Sequence, residues 1–394
     1  MTQQPGQVSR RTFLKGMGTL GLAGLVGACY PAPEAKIAGL PGSIVWSTYP
    51  AGTGTYNDVA AFANTLTSIG GSQVRLMTGD TGIGRIAPLI SGVAHYARSG
   101  DETYYAFEGD DEFASRVWGP QPIRNVWTPP GNYGVLTRKD SGIVTADQLR
   151  GKRYPRLISS ISMNRKLEAV LNFGGLTLDD VTLVDISYSE QADAIRAGHI
   201  DAMYYNVVGA QIAELNSKYP IHWINLGGGE PEQYSTWDEL VPMVIPGPVE
   251  GAVGTEPGEV VTNFQYSIPL STVAERPAEE VYTVLKTLHE NFDDFKDATP
   301  DAKKFALDQI LLLPLILPFH EGAIRFLDEQ GRWNESLQAR NDALLLREER
   351  MREAWPQFWK ENEDASDVDK RWLQWKKDNL PALPEATDPT SLAT

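Results

Sequence analysis

Ile44-Val45-Trp46-Ser47-Thr48-Tyr49-Pro50-Ala51-Gly52-Thr53-Gly54-Thr55-Tyr56 is a short apolar run that breaks into a Gly/Thr-rich loop. Val59, Phe62, Ala63 and Leu66 follow at helical spacing. A strand-length run, a loop of small residues and an amphipathic stretch predict strand, loop, helix. Gln73 to Met77 repeats the pattern, with the loop Thr78-Gly79-Asp80-Thr81-Gly82 leading into a helix from Arg85 to Ser91, and the unit occurs once more. Strands alternating with helices imply an α/β fold with a mostly parallel sheet, whose ligands bind beyond the carboxyl ends of its strands.

A second α/β unit begins at the extended stretch Asn132 to Arg138 and the capping box Thr145-Ala146-Asp147-Gln148. Strands are expected at Tyr154 to Ile158, Thr182 to Ile186, Ala202 to Tyr205 and Ile221 to Leu226. The loop Ser159-Ser160-Ile161-Ser162 precedes a helix over Asn164 to Asn172, and Ser187 to Glu190 caps another that ends at Gly198. From about Val260 the pattern turns to long amphipathic helices, one with Val281, Leu285, Leu288, Phe292 and Phe295 on a single face. Leu307 to Phe319 is nearly continuous apolar with Pro314 and Pro318 inside, which predicts a kinked buried helix or two short ones. Its length, about 13 residues, is too short for a membrane span. Leu337, Leu344, Met351, Trp355 and Phe358, then Trp372 and Trp375, mark the last helices.

The N-terminus reads as an address. Ser9-Arg10-Arg11-Thr12-Phe13-Leu14-Lys15 is a twin-arginine export pattern, and Val26-Gly27-Ala28-Cys29 is like a lipoprotein cleavage box. Cys29 is the one cysteine of the chain and the expected lipidation site. Cleavage takes away three positive charges and no acid, moving the net charge from −16 to −19. The expected division is a signal peptide over 1–28, a Pro/Gly tether over 29–43, domain I over 44–132 and 258–330, domain II over 133–257, and helices over 331–394 that brace domain I.

An acidic chain of 394 residues is repelled by phosphate backbones, which argues against nucleic-acid binding. A lone cysteine excludes an intramolecular disulfide and a thiolate zinc site. His95, His199, His222, His289 and His320 show no HExxH or HxH spacing, so no metal, catalytic residue or cofactor is expected. Gly52-x-Gly54 lacks the third glycine of a dinucleotide site. The neighbouring acids Asp110-Asp111, Asp179-Asp180 and Asp293-Asp294 read as solvated.

Taken in order, Gly52 to Tyr56, Thr78 to Gly82, Asp140-Ser141-Gly142-Ile143, Asp147 to Arg153, Ala197 to Ala202 and His320 to Phe326 resemble the landmarks of the TAXI family, receptors of tripartite ATP-independent periplasmic (TRAP) transporters. The resemblance covers residues 43 to 330 or so. It implies a type II periplasmic-binding-protein fold of the Venus-flytrap kind with a helical C-terminal extension. It further implies a monomeric, lipid-anchored extracytoplasmic receptor that passes a small organic anion or amino acid to TRAP membrane permease subunits. Where the family pattern leads one to expect Thr-Gly-Gly-Ser, this chain has Thr78-Gly79-Asp80-Thr81, an acid that can meet a ligand amine or repel a carboxylate.

Helix N-termini expose unpaired N–H groups and partial positive charge, so three of them can hold an anion without arginine. The first has Thr48 behind it and Thr53, Gly54, Thr55 and Tyr56 at its start; the second follows Thr78, Gly79, Asp80 and Thr81; the third follows Ser159, Ser160 and Ser162. Tyr204 and Asn206, at the end of an expected strand, complete the candidate ligand set. Serines, threonines and glycines also serve simply as caps and turns, and the tyrosine as core. The alternatives to a transport receptor are an exported cleft enzyme of hydrolase type and a ligand sensor on the same scaffold.

Overall fold

The structure is a computed structural model that describes residues 34–389; the signal peptide expectation and Cys29 lie outside them. The opening stretch forms β1 (Ser43–Thr48) and α1 (Gly54–Ser68), followed by β2 (Gln73–Thr78), α2 (Gly82–Ile90), β3 (Tyr96–Arg98), α3 (Glu102–Glu108) and β4 (Ile123–Trp127). Side chains alternate along β1. Trp46 packs edge-on against Phe62 of α1 at 4.9 Å between ring centroids, whereas the Ser47 hydroxyl donates to the Arg85 carbonyl of α2 at 2.7 Å. With a period of two, α1 and α2 therefore cover opposite faces of the sheet.

The chain then crosses to a second sheet. Here lie β5 (Pro130–Arg138), β6 (Arg153–Leu157), α4 (Ile161–Phe173), β7 (Thr182–Ile186), α5 (Gln191–Ala197), β8 (Ala202–Asn206), α6 (Ala210–Lys218), β9 (Ile221–Trp223), α7 (Trp237–Leu240), β10 (Ile245–Glu250) and β11 (Val260–Ser267). It returns as β12 (Leu270–Val273) and continues through α8 (Ala278–Glu290), α9 (Glu321–Glu329), α10 (Glu335–Asn362) and α11 (Val368–Asn379).

The first sheet has the order β2-β1-β3-β12-β4, with β1 parallel to β2 and β3, and β12 antiparallel to both of its neighbours. The second has the order β10-β11-β5-β8, with β9 also on β5, and β6 pairs in parallel with β7. The strand that returns from the excursion is inserted antiparallel between the third and fourth strands of the first sheet. That topology is the α/β type II periplasmic-binding-protein fold, and α9 to α11 form its helical C-terminal region.

The two crossings are short and alike: Thr128-Pro129 leads out and Ile268-Pro269 leads back. They are also bonded together, the Ile268 N–H donating to the Pro129 carbonyl at 3.3 Å and the Ser267 hydroxyl to the same oxygen at 3.1 Å. Residues 260–267, which the sequence grouped with the first domain, thus pair in the second sheet.

Three expectations give way. The region after Val260 opens with strands rather than helices: Val261, Asn263, Phe264 and Tyr266 of β11 are buried, and that irregular alternation is weak evidence for a strand until β5 and β10 pair with it. The strand at Ile221 stops at Trp223. Leu307 to Phe319 forms no helix. It runs along the free edge of β4, where Asn125 N–H donates to Pro318 O, His320 N–H to Asn125 O and Leu311 N–H to Thr128 O, each at 2.9 Å. Proline denies this segment a continuous helix, and an unpaired strand edge supplies its backbone with partners instead.

Candidate functional site

β1 and β2 end side by side, with Thr48 in register with Thr78, so both parallel strands point their carboxyl ends at the seam between the two sheets. Gly79 donates its N–H to Thr48 O at 3.0 Å, and a Cβ there would lie 2.8 Å from the Gly84 backbone, so only glycine makes this turn. Thr53 and Thr81 act as helix caps: their hydroxyls accept from Tyr56 N–H at 3.2 Å and Gly84 N–H at 3.0 Å. Capping commits their oxygens to the protein's own backbone.

The second and third N-termini meet. Gly82 N–H donates to the Ser159 carbonyl at 3.1 Å, Ser159 itself standing at φ +48°, and the Ser162 hydroxyl donates to the Glu102 carboxylate at 3.3 Å. Glu102 also receives Arg85 Nε at 2.7 Å, a second bond from Arg85 Nη2, and the Ser99 hydroxyl at 2.6 Å. The Ser162 hydroxyl, expected to face a bound ligand, thus meets an internal carboxylate. Burial alone would raise the Glu102 carboxyl, but the Arg85 guanidinium and Ser99 hold it below the usual carboxylate range.

Beside this pair, Lys166 of α4 bonds the Asp101 carboxylate and sits 4.3 Å from the centre of the Tyr266 ring. Burial pulls both partners toward neutrality, Asp101 upward and Lys166 downward, against their mutual attraction. Arg98 pairs with Asp58 at 2.6 Å, and Asp58 also receives Thr299. Arg85 lies 3.8 Å above the Tyr49 ring.

The first N-terminus joins the cluster through tyrosine. Thr55 Oγ1 and Tyr133 Oη are 3.3 Å apart; Tyr133 stacks on Tyr204 at 5.6 Å, and the Tyr204 and Tyr266 hydroxyls are 2.7 Å apart. Asn206 donates to Asp301 at 3.2 Å and accepts from Val208 N–H at 2.9 Å. Tyr188 and Tyr205 lie flat on each other at 4.9 Å, with Tyr49 6.0 Å from Tyr188. Gly54 borders a cavity of about 800 Å³ shared with Val208, Gly209 and Ala210 of the second sheet's side. Tyr56 is half-buried and its side chain has no hydrogen bond or ring contact among the described residues, and Thr78 is exposed.

Four polar atoms in this seam are buried without a partner among the described residues: Thr48 Oγ1, Ser160 Oγ, Asp80 Oδ1 and Arg98 Nε. Thr48 is 0% and Ser160 3% exposed. The other Asp80 oxygen accepts from the Ser189 hydroxyl at 3.3 Å, across the seam. Buried polar atoms in native proteins are nearly all satisfied, and other atoms of this fold, such as both side-chain polar atoms of Asn263, share the same condition.

The sequence reading missed Arg85, Asp101, Glu102, Lys166, Tyr49, Tyr133, Tyr188 and Tyr266. Two carried a signal: Arg85 precedes Leu89 by one helical turn, and Lys166 lies between Met163 and Val170, so both fall on buried helix faces where a cation needs a partner. Among the described residues no group of three or more His, Cys, Asp or Glu is arranged to hold a metal, and no helix is long and apolar enough to cross a membrane.

Comparison with known proteins adds the following. No curated protein is similar enough to count as a relative. Among solved structures, the chain is similar to the periplasmic aliphatic sulphonate binding protein of Escherichia coli, at 12% identity and TM-score 0.40 over 88% of this chain and 94% of that one. It is also similar to a substrate binding protein of an ABC uptake transporter from Streptococcus pneumoniae with bound histidine, at 12% identity and TM-score 0.42 over 67% and 94%. The model of the NMT1-like family matches residues 61–331. Since that match spans more than half of the chain, from α1 through both sheets to α9, the protein belongs to the NMT1-like family.

Proposed function

We propose that the protein is an extracytoplasmic solute receptor of the TAXI kind, which captures a small organic anion or amino acid between two α/β lobes and delivers it to the membrane permease subunits of a TRAP transporter. The observation that carries this reading is the set Thr48, Asp80 and Ser160, unpartnered among the described residues, which stand at the carboxyl ends of the parallel strands β1, β2 and β6. A solute touching all three gains its full contacts only when the lobes are together, so binding and closure are one equilibrium. Thr128-Pro129 and Ile268-Pro269 are the hinge in this reading, since they are the crossings between the sheets. The export pattern and Cys29 support secretion and a lipid anchor, and the family resemblance supports a monomer working with TRAP subunits rather than another transporter class.

The test is stoichiometric binding without turnover. A solute that binds only the native state raises the melting temperature with its concentration, and a receptor returns it unchanged. Thr55→Pro and Ser160→Trp should weaken binding by more than they lower stability. Consumption of the solute would make the protein an enzyme, and unchanged affinity in both variants would move the site elsewhere. Uptake by vesicles containing the TRAP permease subunits, dependent on added receptor, distinguishes transport from sensing.

A further inference from the structure

The buried cations of the seam are balanced, while not every carboxylate beside them is. Arg85 faces Glu102, Lys166 faces Asp101 and Arg98 faces Asp58, each cation neutralised by a carboxylate of the same chain. Asp80 has no ion pair among the described residues; one of its oxygens is buried and unpartnered. Its carboxylate is also felt by the neighbouring Tyr205 phenol, which burial raises first and Asp80 raises further.

An anionic solute beside Asp80 would find Arg85 and the Ser162 hydroxyl already given to Glu102, and would bring a further carboxylate to a place that already holds Asp80 and Glu102. Burying a charge beside like charges with no free counter-ion is strongly unfavourable. A cationic solute meets the opposite situation. It neutralises Asp80 Oδ1 where nothing else does, and the hydroxyls of Thr48 and Ser160 remain to orient its polar groups. The formal charge of −16 also draws cations toward the molecule.

Resting on the receptor reading, we propose that the solute carries a protonated amine, and that Asp80 is the specificity-determining residue that pairs with it. The Asp80 loop belongs to the first sheet and its Ser189 partner to the second sheet's side, so the amine would be seated where closure joins the two. In an amino-acid solute the amine is then the recognised charge. Its carboxylate must find hydroxyl and backbone donors or the one guanidinium N–H left over, Arg98 Nε, because the charges of the seam cations are already neutralised.

The experiment is a melting-temperature screen of the full chain against two matched sets. One contains amino acids, their decarboxylated amines and polyamines such as putrescine; the other contains nitrogen-free mono- and dicarboxylates, such as succinate, together with sugars. Hits are then titrated calorimetrically against the wild type and Asp80→Asn. The expected result is that every hit carries an amine and that Asp80→Asn weakens its binding about tenfold, with the melting temperature of the unliganded protein unchanged. A nitrogen-free hit, or an affinity within twofold in Asp80→Asn, overturns the amine assignment and leaves the receptor standing. If neither set moves the melting temperature, the receptor reading falls and the proposal with it.

Discussion

Two buried clusters of charge in this protein look alike in composition and differ in completeness. In the seam, Arg85, Glu102, Lys166 and Asp101 are surrounded by hydroxyls and tyrosines, and Thr48, Ser160 and Asp80 each keep a polar atom without a partner among the described residues. Against α3, by contrast, the C-terminal helices saturate the buried carboxylates. Glu108 receives Arg347 twice at 2.8 Å and Lys376 at 2.7 Å; Asp110 receives Lys376 on both oxygens, at 2.6 and 2.8 Å; and the Trp372 indole donates to Glu108 O at 2.7 Å. Arg124 and Glu348 add a further pair at 2.5 Å between β4 and α10. A saturated network fixes an element in place, whereas an unsaturated one leaves polar atoms with unused bonding capacity. The charges alone would not have told the two apart.

The largest effect should come from the saturated side. Lys376→Met leaves Glu108 and Asp110 buried with their shared cation gone and should lower unfolding free energy by about 3–5 kcal/mol, with solute affinity unaltered, as read by urea unfolding and calorimetry. If affinity falls in step with stability, the two clusters are coupled and the contrast fails. In the seam, Glu102→Gln leaves Arg85 without its counter-charge and should cost about 3 kcal/mol of stability while also lowering solute affinity, since α2 and α4 meet at that carboxylate.

The pH response sharpens the contrast further. Burial raises Asp110 to about 7 and Glu108 adds to it, against the pull of Lys376; Glu108, which burial alone would raise, is held down at about 2 by Lys376 and Arg347. A raised folded-state value means the folded protein holds the Asp110 proton more tightly than the unfolded chain does. Stability from Asp110 is therefore fully present below about 4 and is lost as pH rises toward 7. Stability from Glu108 has the opposite sign, present above its unfolded value of 4.5 and lost as pH falls toward 2. Asp110→Asn should flatten the slope of unfolding free energy between pH 4 and 7 and leave the acid limb intact; an unchanged slope would deny Asp110 its buried proton.

The smallest stability effect belongs to the unpartnered hydroxyls. Thr48→Val and Ser160→Ala remove polar atoms that bond nothing among the described residues, so each should change unfolding free energy by less than about 1 kcal/mol, in either direction. Solute affinity should nonetheless fall about tenfold in each. A large loss of stability with no loss of affinity would turn the seam into another structural cluster.

Much of the fold could be read locally. β1, α1, β2 and β7 lie within a few residues of their expected places because each combines a periodic apolar pattern with its own cap or turn. Asp110 and Asp111 show the opposite case. Adjacent acids suggest a solvated surface, yet Asp110 is buried on Lys376 and Asp111 pairs with Arg165 at 2.9 Å, partners that lie 266 and 54 residues away. Among the candidate site residues, Thr53 and Thr81 could be recognised as small residues before helices, but only their bonds reveal that they cap. Tyr49 and Tyr133 had no local mark at all.

What the sequence determined by itself is what short-range physics controls: strand and helix periods, caps, the acidic charge and the turn that carries Asp80. Tertiary structure alone decided which polar groups are spent and which are left over. Bonds between Gly82 and Ser159, Ser162 and Glu102, or Ser189 and Asp80 join residues 60 to 109 positions apart or cross from one sheet's loops to the other's. Whether a buried hydroxyl is satisfied is a property of the packed neighbours around it, and no neighbour along the chain supplies that information.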